Sequence, residues 1–252
     1  MRTTIQAQTR LARNWKQRMW WVVVPGVCLP LAFIAADYKN VRDLVAYAAS
    51  RPLDLEKSLL SHPDYVAIRN QFARDRQAAQ GHVTLFIGDS LTFGLRPDRT
   101  EFPNAVNLAI EGDTTLGILA RLADDLTDLD LECVYLMIGY NDLKFRSNEL
   151  ILDNLDQIVG RFRTDRIVVQ SVLPVDPRRR WLNRRIASLN EMIWDRYRDS
   201  NKVKLLNLYP EFKDPKSLGI QQSLTRDGVH LTEDGYRRWA VCLHKYHQAN
   251  LK

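Results

Sequence analysis

A histidine near the C-terminus follows an aspartate by three residues, in the segment Asp227-Gly228-Val229-His230. On a loop that enters a helix, this spacing lets the carboxylate accept a hydrogen bond from one ring nitrogen while the other ring nitrogen takes a proton from a hydroxyl. The other histidines occupy no predicted strand end with an acid nearby: His62, His82, His244 and His247. We therefore expect His230 to act as a general base and Asp227 to orient it.

A serine that could serve as the nucleophile follows a short apolar run, in the segment Gly88-Asp89-Ser90. A serine on the turn that leaves a strand can expose its hydroxyl at the head of the next helix, where backbone N–H groups favour developing negative charge. The same tripeptide is also typical of a plain helix cap, in which Asp89 or Ser90 bonds an otherwise unpaired N–H. The motif alone leaves both interpretations open.

Two further segments could supply hydrogen-bond donors to such an oxyanion. Gly112 would let the chain approach a ligand closely and offer its N–H. Asn141 follows a predicted strand, and its side-chain amide is a fixed neutral donor. Gly112 could instead be a turn residue before a helix that Asp113 or Thr114 caps. Asn141 could belong to an ordinary loop-and-cap pair with Asp142, which we interpret as structural.

The elements that must position these residues alternate along the chain. Short apolar runs bounded by turn residues predict five strands, over 82–87, 106–110, 131–138, 166–173 and 203–208. Helical spacing predicts helices around 64–79, 116–126, 152–162, 186–197 and 233–247, the first polar enough to lie on a surface. This alternation favours a doubly wound α/β domain with a parallel five-stranded sheet covered on both faces. Ligands bind such sheets at the carboxyl ends of the strands.

Taken in order, these four segments resemble the SGNH hydrolases, also called the GDSL esterase and lipase family. Four successive blocks of that family supply a serine, a glycine, an asparagine and a histidine, and the matching residues here are Ser90, Gly112, Asn141 and His230. The blocks are similar to a subgroup with platelet-activating-factor acetylhydrolase subunits and bacterial lysophospholipase-like esterases: GDSLTFG, EGDTTLGILARL, MIGYNDL, SVLPV and DGVHLTEDGYRRWA. Ala109 and Glu111 depart from this subgroup, which more often has glycine and serine there.

The resemblance covers about residues 82–245 and implies a flavodoxin-like α/β sandwich, the SGNH hydrolase fold. It implies a serine esterase that uses Ser90, His230 and Asp227, with an oxyanion hole of Ser90, Gly112 and Asn141 and no metal or organic cofactor. Expected substrates are small acyl esters, lysophospholipids or O-acetylated glycans. Two alternatives are an acyltransferase with the same residues and a catalytically silent envelope-binding module, against which the complete Ser-His-Asp set argues.

The N-terminal region predicts a membrane anchor. Residues 1–18 carry five cations and no acid, and residues 19–36 carry no charge. Such a run reaches the lower limit of a bilayer span, and the positive-inside rule places the N-terminus in the cytoplasm and the rest outside. A secretory signal peptide cleaved at Ile34-Ala35-Ala36 is the alternative. We expect a basic cytoplasmic segment (1–18), a transmembrane anchor (19–36), a stalk with a leading helix (37–80) and a hydrolase domain (81–252).

The distribution of charge argues against nucleic acid as a partner. The chain has a net charge of +6, but residues 1–18 supply five of these charges and leave 31 basic against 30 acidic residues. Within Arg161–Lys204, 12 basic residues stand against 5 acidic ones. This stretch could be a solvated helix face with ion pairs. Alternatively, its part from Arg178 to Arg185 could meet anionic lipid or an acidic glycan at the cleft edge.

Overall fold

The computed structural model of this chain describes residues 63–78, 81–95, 102, 104–126 and 129–250. They belong to the unit Tyr47–Lys252. None of the helices in these ranges is long and apolar enough to span a bilayer. The basic segment 1–18, the expected anchor 19–36 and the stalk up to residue 62 lie outside the described residues, so the anchor and its orientation stay predictions.

In the described part of the chain, five parallel strands form one sheet. They are β1 (Val83–Gly88), β2 (Ala105–Asn107), β3 (Leu131–Met137), β4 (Ile167–Gln170) and β5 (Val203–Leu206). Every neighbouring pair is parallel, and the order across the sheet is β2-β1-β3-β4-β5. This is the flavodoxin-like order of a doubly wound sheet. It confirms the predicted five-stranded α/β fold.

The two faces of the sheet carry separate apolar clusters, because successive side chains of a strand point to opposite sides. In β1, Leu85 and Ile87 belong to one cluster and Phe86 to the other. In β3, Leu136 and Tyr135 divide in the same way. All of these side chains are fully buried. Since helices cover both faces, the strands form nearly continuous apolar runs in the sequence.

Helices flank the sheet on both sides. The longer ones among the described residues are α1 (Pro63–Ala78), α3 (Thr115–Asp125), α4 (Asn148–Arg161), α5 (Arg180–Tyr197) and α7 (Glu233–Asn250). Single-turn helices α2 (Ser90–Phe93) and α6 (Tyr209–Phe212) and 3-10 turns at Asp142–Lys144 and Gln222–Leu224 lie between them. Helices α3, α4 and α5 pack on the cluster of Leu85, and α7 packs on that of Phe86.

Helix α1 corresponds to the polar helix predicted around 64–79. Although its sequence is typical of a surface helix, Phe72 is only 3% exposed and belongs to the core. The guanidinium of Arg121 lies 5.8 Å from the centre of the Phe72 ring. Arg69 and Arg76 lie 3.7 and 3.9 Å from the carboxylate of Asp125. One aromatic side chain and these charge contacts therefore hold a helix with a weak apolar pattern.

Strand β2 is shorter than the apolar run 106–110 predicts. The chain beyond it still pairs with β1, since Leu108 donates from its N–H to the carbonyl of Phe86 at 2.8 Å. Ile110 donates to the carbonyl of Gly88 at 3.2 Å. These residues therefore keep the burial of a strand while the chain turns toward Gly112. The run therefore predicts the buried residues correctly but overestimates the length of the regular strand.

The carboxyl ends of β1, β2 and β3 meet at one edge of the sheet. Ser90 follows β1, Gly112 comes shortly after β2, and Asn141 comes shortly after β3. The chain runs from β1 to β2 toward one edge of the sheet and from β3 to β4 toward the other, so a crevice opens where the strand order reverses. The three residues predicted at strand ends therefore converge on this crevice.

Candidate active site

Ser90 is the first residue of α2, directly after the turn that ends β1. The residue before it, Asp89, caps this helix, since its Oδ1 accepts a hydrogen bond from the N–H of Leu91 at 3.0 Å. The hydroxyl of Ser90 is therefore left for another partner, and its Oγ lies 3.2 Å from Nε2 of His230. The cap interpretation is confirmed for Asp89, and the adjacent Ser90 stays the candidate nucleophile.

The segment Asp227–His230 forms a tight turn before α7. Oδ1 of Asp227 accepts from the backbone N–H of Val229 at 2.9 Å and from that of His230 at 2.8 Å. Its Oδ2 lies 2.7 Å from Nδ1 of His230. One carboxylate thus holds both the backbone and the ring of the histidine. This is the arrangement that the three-residue spacing predicts.

Gly228 allows the turn to close. Its φ of +86° lies in the left-handed region that side chains with a Cβ rarely adopt. A Cβ at this position would also lie 2.6 Å from Cβ of Asp176, whose N–H donates to the Gly228 carbonyl at 2.7 Å. The requirement for glycine was not predicted, although an Asp-Gly pair is a common signal of turns with positive φ.

The carboxylate of Asp227 is ionised above about pH 2. Burial alone would raise its pKa, but hydrogen bonds from the ring and N–H of His230 and from the N–H of Val229 outweigh burial and lower the pKa to about 2. Beside this negative charge, Nδ1 of His230 carries the proton of the neutral ring. Nε2 then faces the hydroxyl of Ser90 as an acceptor, which is the tautomer that a general base needs.

Asn141 lies just beyond β3, with its amide held on both sides. Nδ2 donates to the carbonyl of Asp113 at 3.0 Å, and Oδ1 accepts from Nζ of Lys144 at 3.2 Å. Because an ammonium group only donates, the contact with Lys144 fixes which amide atom is the oxygen. Within the described ranges the second N–H of Nδ2 has no acceptor. It is available to a ligand in the cleft that Asn141 lines.

Backbone N–H groups of Ser90 and Gly112 lie at the same cleft. Ser90 is at the first position of α2, where an N–H has no acceptor inside the helix. Gly112 has a φ of +76° and lies in the turn between β2 and α3. Neither N–H has a hydrogen-bond acceptor among the residues that the structure describes. Together with Asn141, they form a set of donors suited to an oxyanion.

A buried network joins the loop after β3 to the start of α3. Oδ1 and Oδ2 of Asp142 accept from Oγ1 and the N–H of Thr115 at 2.7 and 3.0 Å. Asn154 of α4 donates to Oγ1 of the same threonine at 2.9 Å. Since Asn141 precedes Asp142 and Gly112 lies just before α3, this network sets the spacing between the two donors. Asp142 therefore holds the loop, as the structural interpretation predicts.

A second buried cluster supports the turn before α3. Oδ2 of Asp113 accepts from Nε of Arg121 at 3.0 Å and from Nη2 at 2.7 Å, and Arg121 also bonds Asp125. Burial raises the pKa of Asp113 to about 6, although the Arg121 guanidinium acts in the opposite direction. Thr114 caps α3. The cap was predicted, whereas nothing in the sequence predicted that Asp113 pairs with a buried arginine.

These groups line one open cleft with a volume of about 540 Å³. All of the predicted site residues belong to its lining, namely Ser90, Gly112, Asn141, Asp227 and His230. The structure therefore brings every one of them together. The lining also includes Glu111, Tyr140, Lys144, Arg179 and Val229. Tyr140 and Val229 lie inside the quoted sequence blocks but had no predicted role, and Lys144 directly follows the block MIGYNDL. Arg179 belongs to the stretch Arg178–Arg185 that one interpretation placed at the cleft edge.

The basic stretch Arg161–Lys204 has no single role. Arg179 lines the cleft. Arg178 is highly exposed and pairs with Asp176 at 2.6 Å. Arg185 is half-buried and donates to backbone carbonyls that follow β3. Neither a solvated ion-paired face nor a continuous contact with an anionic surface describes all of these arginines.

The family model for GDSL-like lipases and acylhydrolases matches residues 86–238, which is more than half of the chain. This chain belongs to the GDSL-like lipase/acylhydrolase family. It is a hydrolase that acts on ester bonds. The resemblance drawn from the four sequence blocks is confirmed.

Solved structures share the fold of this GDSL-like hydrolase. A Streptococcus pneumoniae protein named for platelet activating factor is 24% identical, with a TM-score of 0.65, and the match covers 80% of this chain and 98% of that chain. A GDSL-like lipase from Bacteroides thetaiotaomicron is 23% identical, with a TM-score of 0.63, over 72% of this chain and 98% of that chain. No curated protein sequence matches this chain.

The other histidines that the structure describes in this GDSL-like hydrolase have partners outside the cleft. Nδ1 of His247 lies 3.0 Å from the hydroxyl of Tyr135 on the sheet face covered by α7. His244 bonds Gln248 one helical turn further on. Across the ranges that the structure describes, no group of three or more His, Cys, Asp or Glu side chains is arranged to hold a metal ion.

Proposed function

We propose that this hydrolase is a serine esterase in which Ser90 is the nucleophile, His230 is the general base and Asp227 orients the base. The proposal rests on one continuous series of contacts. Oγ of Ser90 lies 3.2 Å from Nε2 of His230, and Nδ1 of the same ring lies 2.7 Å from Oδ2 of Asp227. An ester that enters the cleft would meet a hydroxyl whose proton already has an acceptor.

The first step forms an acyl-enzyme. Oγ of Ser90 attacks the carbonyl carbon of the ester, and Nε2 of His230 takes the hydroxyl proton. The resulting imidazolium is stabilised by the negative charge of Asp227. When the tetrahedral intermediate collapses, the bond to the alcohol oxygen breaks, and His230 gives its proton to the departing alcohol. Ser90 then carries the acyl group.

The second step releases the acid. Nε2 of His230 takes a proton from a water molecule, whose oxygen attacks the acyl carbon. A second tetrahedral intermediate forms and breaks at the bond to Oγ of Ser90, which recovers its proton from His230. The free enzyme is regenerated, and each proton has moved between a reacting oxygen and the same ring nitrogen.

Negative charge on the carbonyl oxygen is stabilised by an oxyanion hole in both steps. Its donors are the backbone N–H groups of Ser90 and Gly112 and the second N–H of the Asn141 amide. Support comes from the lack of other acceptors for these groups within the described residues. The amide of Asn141 is already oriented by Asp113 and Lys144, so little reorganisation is needed when the charge develops.

The proposed substrates are small acyl esters, lysophospholipids or O-acetylated glycans. This range follows the similarity of the sequence blocks to acetylhydrolase and lysophospholipase-like esterases. The cleft is compatible with it, because the side chain of His230 is 37% exposed and an ester on a larger molecule can reach it. The nearby Ser90 hydroxyl would meet only the reacting end of such a molecule.

The proposal extends to a membrane location. Residues 1–18 with five cations and the uncharged residues 19–36 favour a single anchor with a cytoplasmic N-terminus. The hydrolase domain, residues 81–252, would then act on the extracytoplasmic side, or be secreted if the segment is a cleaved signal peptide. Either location would bring the domain to lipid or acylated glycan outside the cytoplasm.

Ser90→Ala in the full chain tests the proposed mechanism. Hydrolysis of p-nitrophenyl esters from acetyl to palmitoyl is expected to fall by about 10³-fold or more, since the acyl-enzyme cannot form. A fluorophosphonate probe should label the wild-type chain once, with the adduct on Ser90 by peptide mass spectrometry. The preferred acyl length in wild type separates an acetyl esterase from a lipase-like enzyme.

Ser147→Ala is the matched control, because Ser147 caps α4 on the surface and does not line the cleft. It should keep wild-type activity and probe labelling. Ester hydrolysis within tenfold of wild type in Ser90→Ala, or an adduct on another residue, would contradict the proposed mechanism.

A further inference from the structure

Two cations lie in the cleft beside the proposed nucleophile. Nζ of Lys144 lies 5.0 Å from the centre of the Tyr140 ring, and Nη1 of Arg179 donates to the hydroxyl of the same tyrosine at 3.3 Å. Both side chains are half-buried and line the cleft that contains Ser90. Tyr140 therefore brings Lys144, which follows β3, close to Arg179, which precedes α5.

Neither Lys144 nor Arg179 forms an ion pair with a carboxylate among the described residues. Other arginines of the domain do so even when they are exposed. Arg178 pairs with Asp176, and Arg196 pairs with an acid on α4. The two cleft cations instead use neutral oxygens of Tyr140 and Asn141. The acids that act on them from nearby are bonded elsewhere, since Asp176 pairs with Arg178 and Asp89 caps α2.

Holding these two cations together is unfavourable without an anion. Burial lowers the pKa of Lys144, and the positive charge of Arg179 lowers it further. Asp89 acts in the opposite direction but ranks below Arg179. Because burial raises the pKa of Asp89 itself to about 7, that carboxyl is only partly ionised at neutral pH. A bound anion would relieve the repulsion between the two cations.

The acids that line the cleft do not supply this anion. Asp227 is occupied by the ring and backbone of His230. Glu111 lines the same cleft, but it is not among the charges that act on Lys144, which are those of Arg179 and Asp89. The space next to the two cations is therefore the part of the cleft best suited to a negative group from outside.

We propose that Lys144 and Arg179 form a subsite that binds an anionic group of the ester substrate, a carboxylate or a phosphate. This inference rests on the proposed function, because it assigns the subsite to the ester that Ser90 attacks. The guanidinium of Arg179 offers paired donors that match two oxygens of such a group, and Lys144 adds a point charge. Since Lys144 also bonds Asn141, the subsite adjoins the proposed oxyanion hole.

The test compares esters that carry an anionic group with neutral esters of similar size. With the charge on the alcohol side, 4-acetoxybenzoate and 4-acetoxyphenyl phosphate are compared with the neutral methyl 4-acetoxybenzoate. With the charge on the acyl side, mono-p-nitrophenyl succinate is compared with p-nitrophenyl butyrate. In wild type, at least one anionic ester should have the higher kcat/KM, mainly through a lower KM. Arg179→Gln should reduce that anionic-to-neutral ratio about tenfold, the effect of losing one charge-assisted contact.

Arg178→Gln is the matched control, because it removes a neighbouring arginine that pairs with Asp176 and does not line the cleft. It should leave the ratio unchanged, and Arg179→Lys should restore part of it. Titration calorimetry of the full chain with sodium phosphate and with 4-hydroxybenzoate provides a readout that needs no turnover. Binding of at least one of these anions should weaken about tenfold in Arg179→Gln and not in Arg178→Gln.

The outcomes separate this inference from the proposed mechanism. If Ser90→Ala abolishes hydrolysis but Arg179→Gln changes anionic and neutral esters equally, the subsite is wrong and the nucleophile stands. If neither anion binds more weakly to Arg179→Gln than to Arg178→Gln, the subsite is also wrong. If Ser90→Ala retains activity on every ester, the proposed mechanism fails, and the titration alone decides the subsite.

Discussion

The two sides of the cleft are built in opposite ways. Besides a hydrogen bond from Asp176 and the contact with Ser90, the contacts that hold the turn Asp227–His230 join residues two to five positions apart, and several of them are exposed to solvent. The side that carries Gly112 and Asn141 is held by buried contacts between residues 27 to 39 positions apart. A local turn can be formed from its own residues, whereas the other side exists only after helices and strands have packed.

This difference predicts that substitutions in the turn Asp227–His230 reduce activity with little loss of stability. Substitutions that disturb the side with Gly112 and Asn141 should reduce both. An exposed local contact contributes little to the free energy of unfolding, because water replaces it readily. Loss of a buried acceptor leaves several donors without their partner in a place that water does not reach. Substitutions of Asp227, Asp142 and Asp89 test the comparison in order of decreasing expected effect.

Asp227→Asn should reduce kcat for p-nitrophenyl esters about 10⁴-fold, because an amide cannot hold His230 in the required tautomer. The free energy of unfolding should fall by about 1 kcal/mol or less, since the amide oxygen can still accept from the two backbone N–H groups and the lost charge is exposed. Esterase assays and urea unfolding of the same preparations measure both quantities.

Asp214→Asn is the matched control, because the carboxylate of Asp214 also accepts a backbone N–H two residues on, from Lys216 at 2.6 Å, in a turn away from the cleft. It should change neither quantity. A large loss of stability in Asp227→Asn would mean that the rest of the domain depends on the contacts of this turn. It would contradict the difference described between the two sides of the cleft.

Asp142→Ala should lower the free energy of unfolding by about 3–5 kcal/mol, the usual effect of removing one partner from a buried charged contact. The substitution removes the acceptor that Thr115 and Arg146 share. Esterase activity should fall in the same variant, because Asn141 and Gly112 lose their fixed spacing. Urea unfolding and kcat on acetyl esters are the measurements.

Asp156→Ala provides the comparison on a partly exposed site. Asp156 of α4 accepts from the hydroxyl of Tyr197 at 2.5 Å and bonds Arg196, but its side chain is 34% exposed. Its removal should lower the free energy of unfolding by about 1 kcal/mol or less and leave kcat unchanged. Equal losses of stability in both variants would mean that burial does not distinguish the two contacts.

The smallest effect concerns Asp89, the buried carboxyl before Ser90. Burial raises its pKa to about 7, so between pH of about 4 and about 7 the folded chain keeps a proton that the unfolded chain has lost. The free energy of unfolding therefore falls as pH rises through this window. Asp89→Asn removes the titration and keeps the helix cap. Its Tm relative to wild type should increase from about pH 5 to about pH 8.

Asp234→Asn, an exposed substitution on α7, is the control and should follow the wild-type change of Tm with pH. A constant difference in Tm between Asp89→Asn and wild type would contradict a buried titrating carboxyl. The pH dependence of stability has the opposite sign for Asp227. Its ionised carboxylate stabilises the folded chain at neutral pH, and this contribution is lost only as pH falls toward about 2.

Much of the fold and most of the site could be predicted from particular residues. The apolar runs 82–87 and 131–138 predicted β1 and β3, because a strand buried on both faces needs consecutive apolar side chains. The run 106–110 predicted too long a strand, since apolar side chains remain buried after regular pairing with β1 becomes irregular. The flavodoxin-like arrangement was implied by family resemblance and not by periodicity.

The sequence by itself determined the parts of the site whose contacts join residues that are close together in the chain. Asp227 and His230 meet because three residues and one glycine close a turn, and Ser90 follows Asp89 at a helix start. Tertiary structure alone decided that Lys144 and Arg179 meet at Tyr140, since these residues come from separate loops. Tertiary packing also decided the raised pKa of Asp89, because burial disfavours its charged form, whereas the lowered pKa of Asp227 comes from hydrogen bonds inside its own turn.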